Sequence, residues 1–216
     1  MISLQAVLCD MDGTLVDTEP YWEAAKLDLA ARHGVPFSAA DAEVLVGRSM
    51  MITVHAMQAA GLPLSDADVL DALVNDVAAR VREHIPWLPG AEAFLVRMKQ
   101  ENIPCALVTQ AWAPVAQQVV DASNGVLQVM VSGGDVTHPK PHPEPYLLAA
   151  QRLGVDPTGC VAIEDSPSGV ESAHLAGAPV LVLPGVHAVP PGPRRHFIAS
   201  LDGVDRPFLE HVLQES

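Results

Sequence analysis

Aromatic residues are scarce in this chain of 216 residues, at 4% of the total. Hydrophobic residues nevertheless make up 49%, so the core has to be aliphatic, built from Val, Leu, Ile and Ala, and is large enough to fold without staples. Cysteine is also rare. Cys9, Cys105 and Cys160 are odd in number, far apart, and each lies in or beside an apolar run. That pattern argues against a disulfide framework or a Cys-based metal site and reads as three buried strand thiols. Positive charge is short too: 12 Lys and Arg stand against 26 Asp and Glu, for a net charge of −14. Nucleic acid and anionic membrane surfaces are repelled by such a chain, and neither is an expected partner. Long hydrophobic runs are missing. The stretch 180–189 is broken by Pro184 and Gly185, far short of the roughly 20 apolar residues of a membrane span. Residues 1–9 lead straight into an acidic cluster without the basic start, apolar run and cleavage site of a secretory leader. The cytoplasm is therefore the expected location.

What is present is a rhythm. Residues 4–9 form a short apolar run that ends in Asp10-Met11-Asp12-Gly13-Thr14, which reads as a buried strand delivering two carboxylates to its C-terminal tip. Open α/β sheets bind ligands at that tip. Apolar runs at 104–109, 127–132, 160–163 and 179–183 then alternate with helical stretches at 90–100, 112–122, 143–153 and 166–176, the signature of parallel βαβ units. Residues 16–86 break this pattern. Helical stretches at 20–32, 49–60 and 65–84 follow one another with no comparable strand between them. The first two end at Gly34 and Gly61, and the third carries Val69, Leu73, Val77 and Val81 at helical spacing. The expected fold is α/β: a Rossmann-like parallel sheet core formed by residues 1–15 and 87–216, with an inserted α-helical cap domain at 16–86. The connections at 16–17 and 85–89 read as its hinge. The proline-rich segment 189–195 reads as an irregular surface loop.

Four separated segments lie at predicted strand ends. In Asp10-x-Asp12-Gly13, two carboxylates two residues apart can face one cavity, one as nucleophile and one as general acid and base, while Gly13 permits a tight turn. A plain acidic turn is the alternative. Thr109 follows a buried strand and precedes a helix, a place where a Thr is often only an N-cap. Lys140 sits in His138-Pro139-Lys140-Pro141-His142-Pro143-Glu144-Pro145. A loop lysine is usually solvated, yet prolines hold the backbone around this one, and a fixed cation in an acidic chain suits phosphate. Glu164-Asp165-Ser166 opens a helix containing Gly169; carboxylates are the hard oxygen donors magnesium prefers, while Asp165 or Ser166 can equally serve as a helix cap.

Taken together and in this order, the segments resemble the haloacid dehalogenase superfamily of phosphotransferases. The similarity is to the branch with a helical cap inserted after the first strand, which includes β-phosphoglucomutase, phosphoglycolate phosphatase and sugar-phosphate phosphatases. It extends from Asp10 through Asp17-Thr18-Glu19-Pro20 to Lys140-Pro141-His142-Pro143-Glu144-Pro145-Tyr146 and Glu164-Asp165-Ser166-Pro167-Ser168-Gly169. The resemblance implies hydrolysis of a small phosphorylated metabolite through an aspartyl-phosphate. Asp10 would be the nucleophile and Asp12 the acid and then the base. Thr109 and Lys140 would hold phosphoryl oxygens. Mg²⁺ would be held by Asp10, Asp165 and the backbone carbonyl of Asp12, with Glu164 a ligand directly or through water. Glu19, Arg48, Gln110 and Trp112 are the candidate substrate contacts, and a monomer or weak dimer is expected.

The chain departs from its relatives after the motif threonine. Thr109-Gln110-Ala111-Trp112-Ala113 stands where the phosphoglucomutase group has a stretch resembling Ser-x-Ser-Lys-Asn that grips a second phosphate, and Val46-Gly47-Arg48 shifts the register of the cap cations. Hydrolase is therefore favoured over mutase. A dehalogenase would lack Asp12. A phosphonate hydrolase would want a cap lysine for a Schiff base, and Lys26, the only one, reads as solvent-facing. His138 and His142 hint at zinc, but two loop histidines without a Cys or a third His are more often solvated. Trp22 and His55 in the cap read as packing before substrate contact. A catalytically silent binding protein on the same fold is the remaining alternative, although Asp10, Asp12, Glu164 and Asp165 are all in place.

Overall fold

The computed structural model describes residues 3–46 and 49–215. The chain divides into two compact units, Met1–Asp17 with Pro86–Ser216, and Thr18–Ile85. The first unit is a six-stranded parallel sheet in the order β3-β2-β1-β4-β5-β6. Its strands are β1 (Ala6–Cys9), β2 (Cys105–Val108), β3 (Leu127–Val131), β4 (Cys160–Glu164), β5 (Val180–Val182) and β6 (Arg195–Phe197). Every residue of β1, β2, β4 and β5 is buried. Such strands are covered on both faces, which is why they appear in the sequence as unbroken apolar runs rather than alternating ones.

Numbering helices along the whole chain, the core unit contains α5 (Ala91–Gln100), α6 (Ala113–Ala122), α7 (Glu144–Leu153), α8 (Pro167–Leu175) and α9 (Arg206–Gln214). On one face of the sheet Ala6, Leu8, Ala106, Val108, Ala162 and Val180 cluster with Tyr146 and Ala149 of α7 and Val170 and Ala173 of α8. Small side chains at Ala106 and Ala162, both paired with Leu8, leave room for Tyr146, a fully buried ring. Few aromatics are needed because alanine-rich helices approach an alanine-rich sheet closely.

β1 lies between β2 and β4, so the chain builds the sheet outward to β3 on one side and then returns to build the other. The sheet's switch point falls at the β1–β4 edge, where ligands bind in this architecture. Immediately after β1, the amides of Leu15 and Val16 both donate to Met11 O, at 2.8 and 3.0 Å, and Gly13 N donates to Val16 O at 2.9 Å. Val16 is fully buried and bridges Asp12 and Trp87. This pairing carries the core two residues beyond the expected boundary at 15, with the unit break after Asp17.

The second unit is helical, with α1 (Glu19–Arg32), α2 (Ala39–Glu43), α3 (Met50–Ala59) and α4 (Asp66–Glu83). α4 buries Val69, Leu73, Val74, Val77 and Val81, and α1 and α4 pack together. Arg80 of α4 pairs with Asp76 on its own helix and Asp28 on α1. Lys26 is a correction to the sequence reading: it is 4% exposed, and its Nζ lies 3.6 Å from Glu19 Oε1. The aliphatic stem is buried with its helix while the ammonium finds a partner about two turns away.

Three elements were not expected from the sequence. α2 is capped by Ser38, whose side chain accepts from Asp41 N in a capping box. β6 overlaps the segment read as a loop, with Arg195 its first residue. α9 is capped by Asp205. Among the described residues no helix is long and apolar enough to cross a membrane. Cys9, Cys105 and Cys160 are free and buried in strands.

Candidate active site

All four candidate segments of the core unit lie at the C-terminal ends of parallel strands: Asp10 and Asp12 after β1, Thr109 after β2, Lys140 on the connection from β3 to α7, and Glu164 and Asp165 at the end of β4. Asp10 N donates to Ile163 O at 3.0 Å, which locks the two carboxylate-bearing tips together by the sheet's own hydrogen bonding.

Lys140 is the centre of the arrangement. Its Nζ donates to Asp10 Oδ1 at 2.6 Å, to Glu164 Oε1 at 2.6 Å and to Val108 O at 2.9 Å. The side chain is 3% exposed. An ammonium carries three donors, and all three are used here. Burial works against the charged form, but the Asp10 and Glu164 carboxylates outweigh it and raise the Lys140 pKa above its ordinary value. Lys140 is thus a fixed cation.

Glu164 is fully buried. Its Oε1 accepts from Lys140 and, at 2.7 Å, from the Tyr146 hydroxyl. Its Oε2 accepts from Asp165 N, Ser166 N and the Ser166 hydroxyl at 3.2, 3.4 and 3.1 Å. A carboxylate so completely engaged supports its neighbours. Ser166 at the same time accepts from Gly169 N at 3.1 Å as the cap of α8. A Cβ at Gly169 would overlap the Glu164 carboxylate, so glycine at this position is what lets the helix start directly over a buried acid.

Asp165 is 9% exposed, and burial followed by the Glu164 charge pushes its pKa up to about 6. Gly13 takes φ +82°, and a Cβ there would fall on the Asp165 carboxylate. The turn after β1 therefore fits against the end of β4 only with glycine at 13. Asp10 is 8% exposed, and burial and Glu164 raise its pKa against the pull of Lys140. One carboxylate oxygen each from Asp10, Glu164 and Asp165 lies within 4.8 Å of the others. Three acids against one lysine leave a negative pocket of hard oxygen donors, which fits a magnesium-like ion.

Thr109 is buried, and its Oγ1 accepts from Ala111 N at 2.9 Å. Gln110 donates from Nε2 to Lys140 O at 3.2 Å, so it fastens the lysine loop. Trp112 is 42% exposed at the start of α6. Glu19 belongs to the helical unit, and Arg48 lies outside the described residues. Sequence reasoning gave no role to Tyr146, although it quoted the residue. Its signal was a lone tyrosine within the first turn of a helix just after the lysine loop.

A family model described as haloacid dehalogenase-like hydrolase matches residues 4–177. The chain is 37% identical over 182 residues to hexitol phosphatase A of Escherichia coli, covering 82% of this chain and 81% of that protein. It is 35% identical over 187 residues to a phosphorylated carbohydrates phosphatase of Thermotoga maritima, covering 81% and 82%. Among solved structures, CbbY of Rhodobacter sphaeroides in complex with phosphate is similar with a TM-score of 0.79 at 26% identity, covering 96% of this chain and 99% of that one.

Proposed function

From the chain's membership of the haloacid dehalogenase-like hydrolases, we propose that it is a phosphatase of small phosphorylated carbohydrates, sugar or sugar-alcohol monophosphates, with Asp10 as nucleophile. The observation that carries this reading is the buried Lys140 ammonium held between Asp10 and Glu164 at the tips of adjacent parallel strands. A phosphoryl group needs in-line positioning and compensation of its equatorial charge. Lys140 supplies a cation that burial keeps from wandering, and the Thr109 hydroxyl lies at the end of the neighbouring strand.

Asp10 attacks phosphorus, and the ester oxygen leaves with a proton from Asp12. Asp12, now ionised, takes a proton from water as that water attacks the phosphoryl group on Asp10, which restores both carboxyl groups. Asp10, Asp165 and the carbonyl of Asp12 would hold Mg²⁺, which when bound supplies charge compensation for the phosphate in an otherwise negative pocket. Glu164 serves beneath them by fixing Lys140 and the Asp165 amide.

The segment after Thr109 favours water as acceptor. Ala111 spends its amide on Thr109, Trp112 presents an apolar ring, and Ala113 begins α6. A mutase has to hold a second phosphate, and an unpaired charged group in a dry pocket costs several kcal/mol. The names of the similar proteins, hexitol phosphatase and phosphorylated carbohydrates phosphatase, support a phosphorylated sugar or sugar alcohol.

The test is phosphate release from a panel of hexose and hexitol monophosphates, with Mg²⁺ and after EDTA, joined to acid quenching and borohydride reduction to locate the phosphorylated residue. Stoichiometric phosphate, dependence on Mg²⁺ and reduction at Asp10 are expected. Isomerised ester accumulating faster than inorganic phosphate would overturn the hydrolase reading, and labelling at another residue would overturn the assignment of Asp10.

A further inference from the structure

The loop that presents Lys140 carries a second group of donor side chains that the reaction does not use. We infer that His138, His142 and Glu144 form a binding site for a late first-row divalent ion of the zinc class, separate from the carboxylate pocket. Each of the three residues can offer one ligand atom such that all three atoms lie within 4.8 Å of one another. The imidazoles sit side by side, with ring centroids 4.6 Å apart. His138 Nδ1 is 2.7 Å from Glu144 Oε2, and His142 Nδ1 is 4.0 Å from the same oxygen.

Around tetrahedral zinc the ligand atoms lie about 2.0–2.2 Å from the metal, hence roughly 3.3–3.6 Å from one another. The 2.7 Å His138–Glu144 separation therefore has to open and the 4.0 Å His142–Glu144 one to close, each by less than about an ångström, and the imidazoles, 61% and 51% exposed, have room to turn. Their backbones do not need to move. Pro139, Pro141 and Pro143 fix the chain between and beside them. The Glu144 carboxylate accepts from the amides of Thr137 and His138 at 2.8 and 3.0 Å. Ser172 donates to His142 O at 2.6 Å from α8. Donors on a rigid backbone lose little entropy when a metal gathers them.

A loop clamp alone accounts for the Glu144 bonds to 137 and 138. The Glu144 amide also donates to His142 Nδ1 at 3.2 Å, which seats the second imidazole beside the first and is the bond an ion at that nitrogen would displace. Two nitrogen donors and one carboxylate, with water in the fourth position, are a zinc-type set, whereas magnesium prefers oxygen. Ligand chemistry thus sorts the ions between the two places. Because Lys140 lies midway between the two histidines, an ion there tightens the same loop that fixes the phosphate-binding cation.

The experiment is zinc titration calorimetry on the full chain with Mg²⁺ held in large excess, with visible absorption of Co²⁺ as a second readout. The wild type is expected to take up one more equivalent than H138A/H142A, and to show Co²⁺ d–d bands of low coordination number that the double variant lacks. H138A and H142A should each weaken uptake roughly tenfold or more, the scale on which even a partner one step removed from a metal acts. H55A, in the helical unit, serves as the control and should match wild type. Thermal melts without added zinc confirm that the variants are folded. Equal zinc stoichiometry in wild type and double variant, or no uptake by the Mg²⁺-saturated wild type, overturns the site.

Discussion

Tyr146 and Lys140 converge on a single oxygen: Glu164 Oε1 lies 2.7 Å from the tyrosine hydroxyl and 2.6 Å from the lysine ammonium. The ammonium is also 5.2 Å from the centre of the Tyr146 ring. One aromatic residue therefore supports the acid that fixes the cation, and faces the cation as well.

Y146F tests that support. The substitution keeps the ring and its packing but leaves Glu164 Oε1 with Lys140 alone. A hydrogen bond to a charged group contributes about 1.5–3 kcal/mol, so the urea midpoint should fall by a corresponding amount at constant slope. Turnover should drop several-fold with a smaller change in KM. An unchanged midpoint would show that the hydroxyl does not hold the acid in place.

K140M should be far more severe. It leaves Asp10 and Glu164 as neighbouring buried acids without their cation, and breaking a buried pair in this way costs roughly 3–5 kcal/mol. Phosphate release should fall to background. K140M/E164Q should regain part of the lost stability but none of the activity, because the second change removes repulsion without restoring a cation. Denaturant unfolding of both variants checks the ordering.

Glycine 169 and glycine 134 make a matched pair. A Cβ at 169 falls on the Glu164 carboxylate, while at 134 it meets nothing within 4 Å. G169A should destabilise by about 1–3 kcal/mol, the usual cost of overpacking, and should lower turnover by displacing Glu164. G134A should stay within about 0.5 kcal/mol of wild type. Equal thermal midpoints for the two variants would contradict the packing at the start of α8.

Acid stability should depend on Asp135. The Ser132 hydroxyl, then Arg152, hold its carboxyl down to about 2, below the roughly 3.9 of an unfolded aspartate. A depressed acid stabilises the fold above its unfolded pKa and ceases to do so as pH falls through the folded value. The contribution is therefore full above about pH 4 and lost towards pH 2. With the side chain 26% exposed, a discounted contribution of about 1 kcal/mol is expected. D135N should be less stable than wild type at pH 5, with the gap narrowing on acidification; a gap independent of pH would assign the effect to something other than titration.

Much of the fold was legible because parallel strands buried on both faces leave unmistakable apolar runs. Five of the six strands, and seven helices, α1 and α3 to α8, correspond to stretches expected from the sequence. The helices that went unread, α2 and α9, did carry signals: Ser38 with Asp41 three residues on, and Asp205 followed by Pro207. β6 carried none, since three half-exposed residues at a sheet edge have neither periodicity nor length. Lys26 was misplaced because a charged residue on a short amphipathic pattern reads as solvated, whereas its stem is buried and its ammonium is matched by Glu19.

The sequence by itself determined which residues bear chemistry: a pair of aspartates at one apolar run, a threonine at another, a lysine between prolines and an acid pair at a third. Their order and types are local facts, so they survive in one dimension. Only the tertiary structure decided what each does to the others. Whether Glu164 is a free ligand or a fully engaged support depends on Tyr146, Lys140 and Ser166 reaching it from three different elements. Whether Gly13 and Gly169 are turns or close contacts depends on carboxylates from β4 filling the space where a Cβ would go. Those relations are set by strand register and helix placement, which bring Tyr146 and Lys140 onto Glu164 and Gly13 against Asp165, where distances are fixed by packing and no local pattern records them.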